Sequence, residues 1–184
     1  MTPDVIYLDL DGVLVDILTA MVTVCGRQEL LVDWPQNYNV HEVLGIEAQQ
    51  LWARIDSRGS RFWAELEPYP WARELYAMLT AVAPTIICTS PTPSVASHAG
   101  KIVWLQRFFG PAFRDYMYVP AKHKLRLATP RALLVDDADA NVEAFRAAGG
   151  RAILVPQPYN KLRAFRSDPM RHVRAAFQEL IDSP

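Results

Sequence analysis

Five short apolar runs punctuate the chain: VIYL at 5–8, TIIC at 85–88, YMYV at 116–119, ALLV at 132–135 and AILV at 152–155. Each is continuous rather than alternating in polarity, the pattern of strands buried on both faces of a parallel sheet. Between them the apolar positions fall at helical spacing. Leu75, Met78, Leu79 and Val82 predict a helix over 71–82, a second covers 94–109 and stops at Gly110-Pro111, and a third runs over 139–148 to Gly149-Gly150. Asp168-Pro169 reads as a cap and first-turn pair, followed by the stripe Val173, Ala176, Phe177, Leu180 and Ile181. Strand and helix alternate, which predicts an α/β fold with right-handed crossovers around a central parallel sheet.

Residues 17–70 interrupt this alternation, because they separate the first two strands by far more than one crossover helix requires. They read mostly helical, as DILTAMVTVCGRQEL and then HEVLGIEAQQLWARI, with a turn at SRGS. The segment also holds Trp34, Trp52, Phe62 and Trp63, a large share of the aromatic residues. An insertion at this point overhangs the carboxyl ends of the strands, where α/β sites form. The expected organisation is a core of residues 1–16 and 71–184 carrying a helical cap of residues 17–70.

Composition removes whole classes of function. With 19 lysines and arginines against 20 acids there is no field to attract a nucleic-acid polymer or an anionic membrane. No run approaches the roughly 18 apolar residues of a membrane span, and MTPDVIYLD lacks the basic and apolar regions of a signal peptide. Cys25 and Cys88 are too few and too far apart for a disulfide framework, which fits a reducing compartment. The expectation is a soluble, cytoplasmic protein of one domain plus an insertion; the oligomeric state is left open.

The candidate chemistry lies where the strands end. After the first strand come Asp9 and Asp11, two residues apart and followed by Gly12, where the chain must turn. Side by side these carboxylates repel, and a hard divalent cation removes the conflict. Thr89-Ser90 follows TIIC, the basic loop Lys122-His123-Lys124 follows YMYV, and Asp136-Asp137 follows ALLV with Asn141 beyond. Separately, each has a duller reading: a calcium loop, a helix-start turn, a solvated loop, the acidic pair of a receiver domain. His41, His98 and His172 show no ligand spacing. Together, carboxylates, hydroxyls and an ammonium in one crevice suit a phosphate monoester held on magnesium, with a carboxylate attacking phosphorus.

DLDGV, then TS after an apolar strand, then a lysine, then DD, resembles the four motifs of the haloacid dehalogenase (HAD) superfamily of phosphohydrolases. FWAELEPYPWARELYAML, IICTSP, KIVWLQRFFGPAF and LLVDD with PQPYN beyond resemble its 5′(3′)-deoxyribonucleotidase branch, from about residue 5 to residue 165. The resemblance implies a Rossmann-like three-layer sandwich with a cap after the first strand. It also implies Asp9 as the nucleophile that becomes an aspartyl-phosphate and Asp11 as general acid and base. Magnesium would be held by Asp9, the backbone carbonyl of Asp11 and Asp137, supported by Asp136 and Asn141. Thr89, Ser90 and a motif-three lysine would bind the phosphoryl group; Lys122 and Lys124 both qualify, with Lys124 favoured.

One departure bears on substrate. Where the branch has an aromatic residue used against the base, after Asp16, this chain has Ile17. Base contacts then fall to Trp52, Phe62 or Trp63, while Arg54, Arg58 and Arg61 offer polar partners to a sugar phosphate. The expected function is a magnesium-dependent 5′(3′)-(deoxy)ribonucleotidase; the alternatives are a phosphatase for another small phosphometabolite and a non-catalytic phosphate-binding module.

Overall fold

A computed structural model describes residues 1–182. Five parallel strands, β1 (Val5–Leu8), β2 (Thr85–Thr89), β3 (Tyr116–Tyr118), β4 (Ala132–Asp136) and β5 (Arg151–Leu154), form one sheet in the order β3-β2-β1-β4-β5. All five apolar runs are strands, with bounds moved by one residue at most. Alternate residues divide the sheet between two apolar layers. Ile6, Leu8, Leu133, Val135 and Ile153 pack on one side with Leu75 and Leu79 of α5 (Ala72–Thr80) and Val173 and Phe177 of α8 (Pro169–Asp182). On the other, Ala132, Leu134, Ala152 and Leu154 meet Val142 and Phe145 of α7 (Asp139–Ala147). With both faces covered, β4 is buried throughout and β2 and β5 nearly so, while the edge strand β3 is half-buried, which is why the runs are continuous in sequence.

Register fixes where the chemistry emerges. Leu8 lies level with Ile87 on one side and Val135 on the other, and the N–H of Asp9 donates to Val135 O at 2.9 Å. The carboxyl ends of β1, β2 and β4 therefore open at one level. The chain steps from β1 outward to β2 and β3, then crosses back to β4, so this level is the switch point of the sheet.

Residues 17–70 form four helices: α1 (Ile17–Val24), α2 (Val40–Leu44), α3 (Ala48–Asp56) and α4 (Ser60–Ala64). The two long helical stretches expected there are shorter. The first ends at Val24 and continues as a 3-10 turn, Gln28–Leu31; the second is split at Gly45, whose φ of 65° ends α2 in the left-handed region. Departure and return are stitched together by Asp16 N–H to Glu67 O and Tyr69 N–H to Leu14 O, both 2.9 Å. Leu44, Leu51, Ile55, Phe62 and Trp63 of this segment share one apolar cluster with Ile6 and Leu8 of β1. The insertion is thus packed into the core as well as standing over it. Its closest junction is α4 against α6 (Val95–Phe109): a Cβ on Gly100 would lie 2.3 Å from Ser60 O and 2.5 Å from the Trp63 Cβ, so only glycine permits the approach. No helix among the described residues is long and apolar enough to cross a membrane.

Candidate active site

The four strand-end segments surround one cavity of about 940 Å³, floored by Asp9, Asp11, Lys124 and Asp137 and roofed by residues of α1 to α4. Asp9 sits at the end of β1 and is buried. Its Oδ1 accepts from the Leu10 N–H at 2.8 Å and lies 2.9 Å from Lys124 Nζ, which leaves Oδ2 for another partner. Burial pushes the Asp9 pKa up to about 7 against the pull of Lys124, and Asp136 and Asp11 add to the rise. Lys124, on the 3-10 turn Ala121–Leu127, is also buried and lies 2.7 Å from Asp136 Oδ2. Burial alone would lower its pKa, but Asp9 and Asp136 outweigh that and hold it above the ordinary lysine value. Of the two lysines the sequence leaves open, the structure brings Lys124 to Asp9; Lys122 is exposed.

The acidic pair after β4 divides its work. Both Asp136 oxygens are occupied: Oδ1 accepts from Ala138 N–H and Asn141 Nδ2, and Oδ2 from Lys124 and Asn141 Nδ2, at 2.7–3.2 Å. The Asp137 carboxylate accepts one hydrogen bond, from the Tyr159 hydroxyl to Oδ2 at 2.5 Å, while its Oδ1 is buried with no partner. Burial raises the Asp137 pKa well above its ordinary value, with Asp136 and Asp9 adding to the effect.

Carboxylate oxygens of Asp9, Asp136 and Asp137 lie within 4.8 Å of one another. Four carboxylates (Asp9, Asp11, Asp136, Asp137) face two ammonium groups (Lys101, Lys124), so ionised they leave two negative charges unbalanced. An orphaned buried oxygen on Asp137, hard oxygen donors and a deficit of two charges fit a divalent cation such as magnesium.

Gly12 makes room for this. Its φ is +73°, and a Cβ there would lie 2.2 Å from Asp137 Oδ2 and 2.4 Å from Tyr159 Oη. Gly12→Ala is expected to cost stability by about 1–2 kcal/mol from the left-handed backbone alone, and more from the displaced carboxylate. Calorimetric melting with and without magnesium checks this, and an unshifted melt in both conditions would overturn it.

The remaining expected residues fall as follows. Ser90 lines the cavity, its hydroxyl accepting from the Ala121 N–H at 3.1 Å; Thr89 is fully buried below it. Ile17, Trp52 and Trp63 line the cavity. Phe62 does not: it packs edge-on to Trp63 within the apolar cluster. None of Arg54, Arg58 and Arg61 lines the cavity either.

Sequence reading assigns no role to two groups. The first is Lys101 on α6, fully buried, with Nζ 2.5 Å from Asp11 Oδ2 and 2.9 Å from Thr89 Oγ1. Its signal was position: Lys101 falls four residues after Ser97 and four before Leu105 on the buried stripe of α6. The second is the PQPYN segment after β5. Gln157 Nε2 donates to Gly12 O at 2.6 Å, Asn160 Nδ2 to Asp137 O at 2.9 Å, and Tyr159 holds the Asp137 carboxylate. One segment thereby ties the loop after β1 to the loop after β4.

A β3-β2-β1-β4-β5 parallel sheet with acidic pairs at the ends of β1 and β4 and a lysine between them defines the class: this is a phosphomonoester hydrolase of the HAD superfamily. Within that class, the chain belongs to the family described as 5′ nucleotidase, deoxy (Pyrimidine), cytosolic type C protein, whose family model matches residues 3–175. No curated protein matches the chain. Among solved structures, it is similar to a HAD family hydrolase from Deinococcus radiodurans with bound phosphate and sodium, at 18% identity over 97% of this chain and 96% of that one (TM-score 0.58). A haloacid dehalogenase-like protein of Agrobacterium tumefaciens is similar at 19% identity over 97% and 99% (TM-score 0.60). A HAD-hydrolase of Bacillus subtilis bound to magnesium is similar at 12% identity over 84% and 87% (TM-score 0.54). At these identities the likeness is one of fold.

Proposed function

We propose that the protein is a magnesium-dependent nucleotidase that removes phosphate from deoxyribonucleoside or ribonucleoside monophosphates through an aspartyl-phosphate on Asp9. The observation that carries the reading is the arrangement around Asp9: Lys124 at 2.9 Å, and buried, unpartnered oxygens on Asp11 and Asp137 at the same strand level. A carboxylate oxygen of Asp9 forms a bond to phosphorus as the phosphorus–oxygen ester bond breaks. Asp11 gives its proton to the departing oxygen. In the second half Asp11, now a carboxylate, takes a proton from the water that attacks phosphorus, releasing inorganic phosphate and restoring Asp9. Lys124 holds the nucleophile and balances charge on the phosphoryl oxygens. Magnesium, held by Asp9, the Asp11 carbonyl and Asp137, would supply the positive charge that lets an anionic ester approach an anionic nucleophile.

The family description and the cavity walls favour a nucleotide over a sugar phosphate. Ile17, Leu18, Met21, Leu51 and Trp52 make one wall apolar, and the nearby arginines lie outside. Trp52 is 37% exposed, against 9% for Phe62 and 2% for Trp63, so its indole has an open face for a base. Base–aromatic stacking is worth roughly 1–3 kcal/mol. Trp52→Ala is therefore expected to raise the KM for a nucleotide by about ten- to a hundredfold, whereas Phe62→Ala should lower stability. The deciding measurement is kcat/KM for deoxyuridine and thymidine monophosphates against sugar phosphates in magnesium. No preference for any nucleotide would retire the nucleotidase and leave a phosphatase for another metabolite.

A further inference from the structure

We propose that Lys101 is the positioning residue for the proton transfers of Asp11, a role that rests on the chemistry proposed above. The amine is fully buried, and an ammonium placed there is costly unless it is fully paired. Its three N–H groups meet three acceptors: Asp11 Oδ2 at 2.5 Å, Thr89 Oγ1 at 2.9 Å and Ser90 O at 3.0 Å. No N–H remains for a phosphoryl oxygen, which separates Lys101 from Lys124. The site is closed from the cap side as well. The Trp63 ring centroid is 5.1 Å from Nζ, close enough for a cation–π contact, and Gly100 lets α4 approach at the adjacent residue.

The consequence for Asp11 is asymmetry. Oδ2 is tied to the ammonium, while Oδ1 is buried and has no partner. The tied oxygen fixes the orientation of the carboxyl group, and the free one is left to carry the proton to the departing oxygen and to take one from water. Because the same ammonium holds Thr89 and Ser90, it also sets the distance between the acid and the end of β2. A wholly apolar side chain would fill the space on α6 at lower desolvation cost, so packing alone gives no reason for an amine here.

The test is kcat/KM with two esters: p-nitrophenyl phosphate, whose leaving group departs without a proton, and a nucleoside monophosphate, whose alkoxide needs one. Lys101→Met and Lys101→Gln are expected to lose about 100-fold on the nucleotide and about tenfold less on the aryl ester, with KM for each little changed. Asp11→Asn, measured alongside, separates the two levels of the argument. Equal losses on both esters in Asp11→Asn would remove the acid role of Asp11 itself. Discrimination in Asp11→Asn with equal losses in the folded Lys101 variants would leave that role standing and overturn the positioning role. Failure of both Lys101 variants to fold, judged by thermal melting, would assign the lysine to the fold and overturn it too.

Discussion

Asparagine in place of Asp9 is expected to leave a folded protein whose turnover falls by at least about 10⁴-fold, the scale seen when a catalytic nucleophile is removed. The amide cannot attack phosphorus, yet it can keep the contact that matters locally, because its carbonyl still accepts from the Leu10 N–H. Lys124 retains Asp136 at 2.7 Å, so no buried charge is stranded. The substitution also removes a carboxylate whose pKa burial pushes from 3.8 up to about 7. Such a group binds its proton more tightly in the native than in the unfolded state. In chelator, wild-type stability is therefore expected to fall as pH rises from about 4 to about 7, and Asp9→Asn should flatten part of that slope. Phosphate measured on the protein after mixing with substrate should appear in the wild type and be absent in the variant. Turnover within tenfold of wild type in a well-folded Asp9→Asn protein would remove Asp9 as the nucleophile.

The clustering of the acidic residues was legible because strand ends and motifs coincide. Asp9, Asp136 and Asp137 follow continuous apolar runs, and such runs in a parallel sheet point their ends at one crevice. What supports them was not legible. Lys101 sits in KIVWLQRFF, where a lysine reads as the solvated face of a helix; tertiary contacts with Asp11, Thr89, Ser90 and the Trp63 ring enclose it. Tyr159 and Gln157 act on loops more than 20 residues away in sequence, at contacts that exist only once β5 lies beside β4. The choice between Lys122 and Lys124 depended on the phase of a 3-10 turn, which apolar patterning does not set. Phe62 was misplaced for a similar reason. In the adjacent pair Phe62-Trp63, only the direction of α4 decides which ring faces the cavity.

The two members of the acidic pair are expected to fail in opposite ways when each becomes asparagine. Every oxygen of Asp136 accepts from a donor, so an amide N–H₂ must face Lys124, Asn141 or the Ala138 N–H. Lys124 would then keep only Asp9 as an anionic partner inside the protein. The donor left facing that N–H₂ is buried without an acceptor, at a cost of about 1–3 kcal/mol, so Asp136→Asn should lower the melting temperature with or without metal. Asp137 has the reverse profile. One oxygen accepts from Tyr159, which an amide carbonyl can still satisfy, and the other has no partner within the protein. Neutralising it also relieves repulsion from Asp136 and Asp9, the neighbours that add to the rise in its pKa. Asp137→Asn should therefore melt at or above the wild-type temperature in chelator and gain little from magnesium, with metal affinity reduced by at least about 100-fold, beyond the loss typical of an outer-shell partner. Magnesium titration calorimetry and melting curves of the two proteins separate these outcomes. Wild-type activity in excess chelator, or an unchanged magnesium affinity in Asp137→Asn, would show that the free oxygen on Asp137 serves something other than a metal.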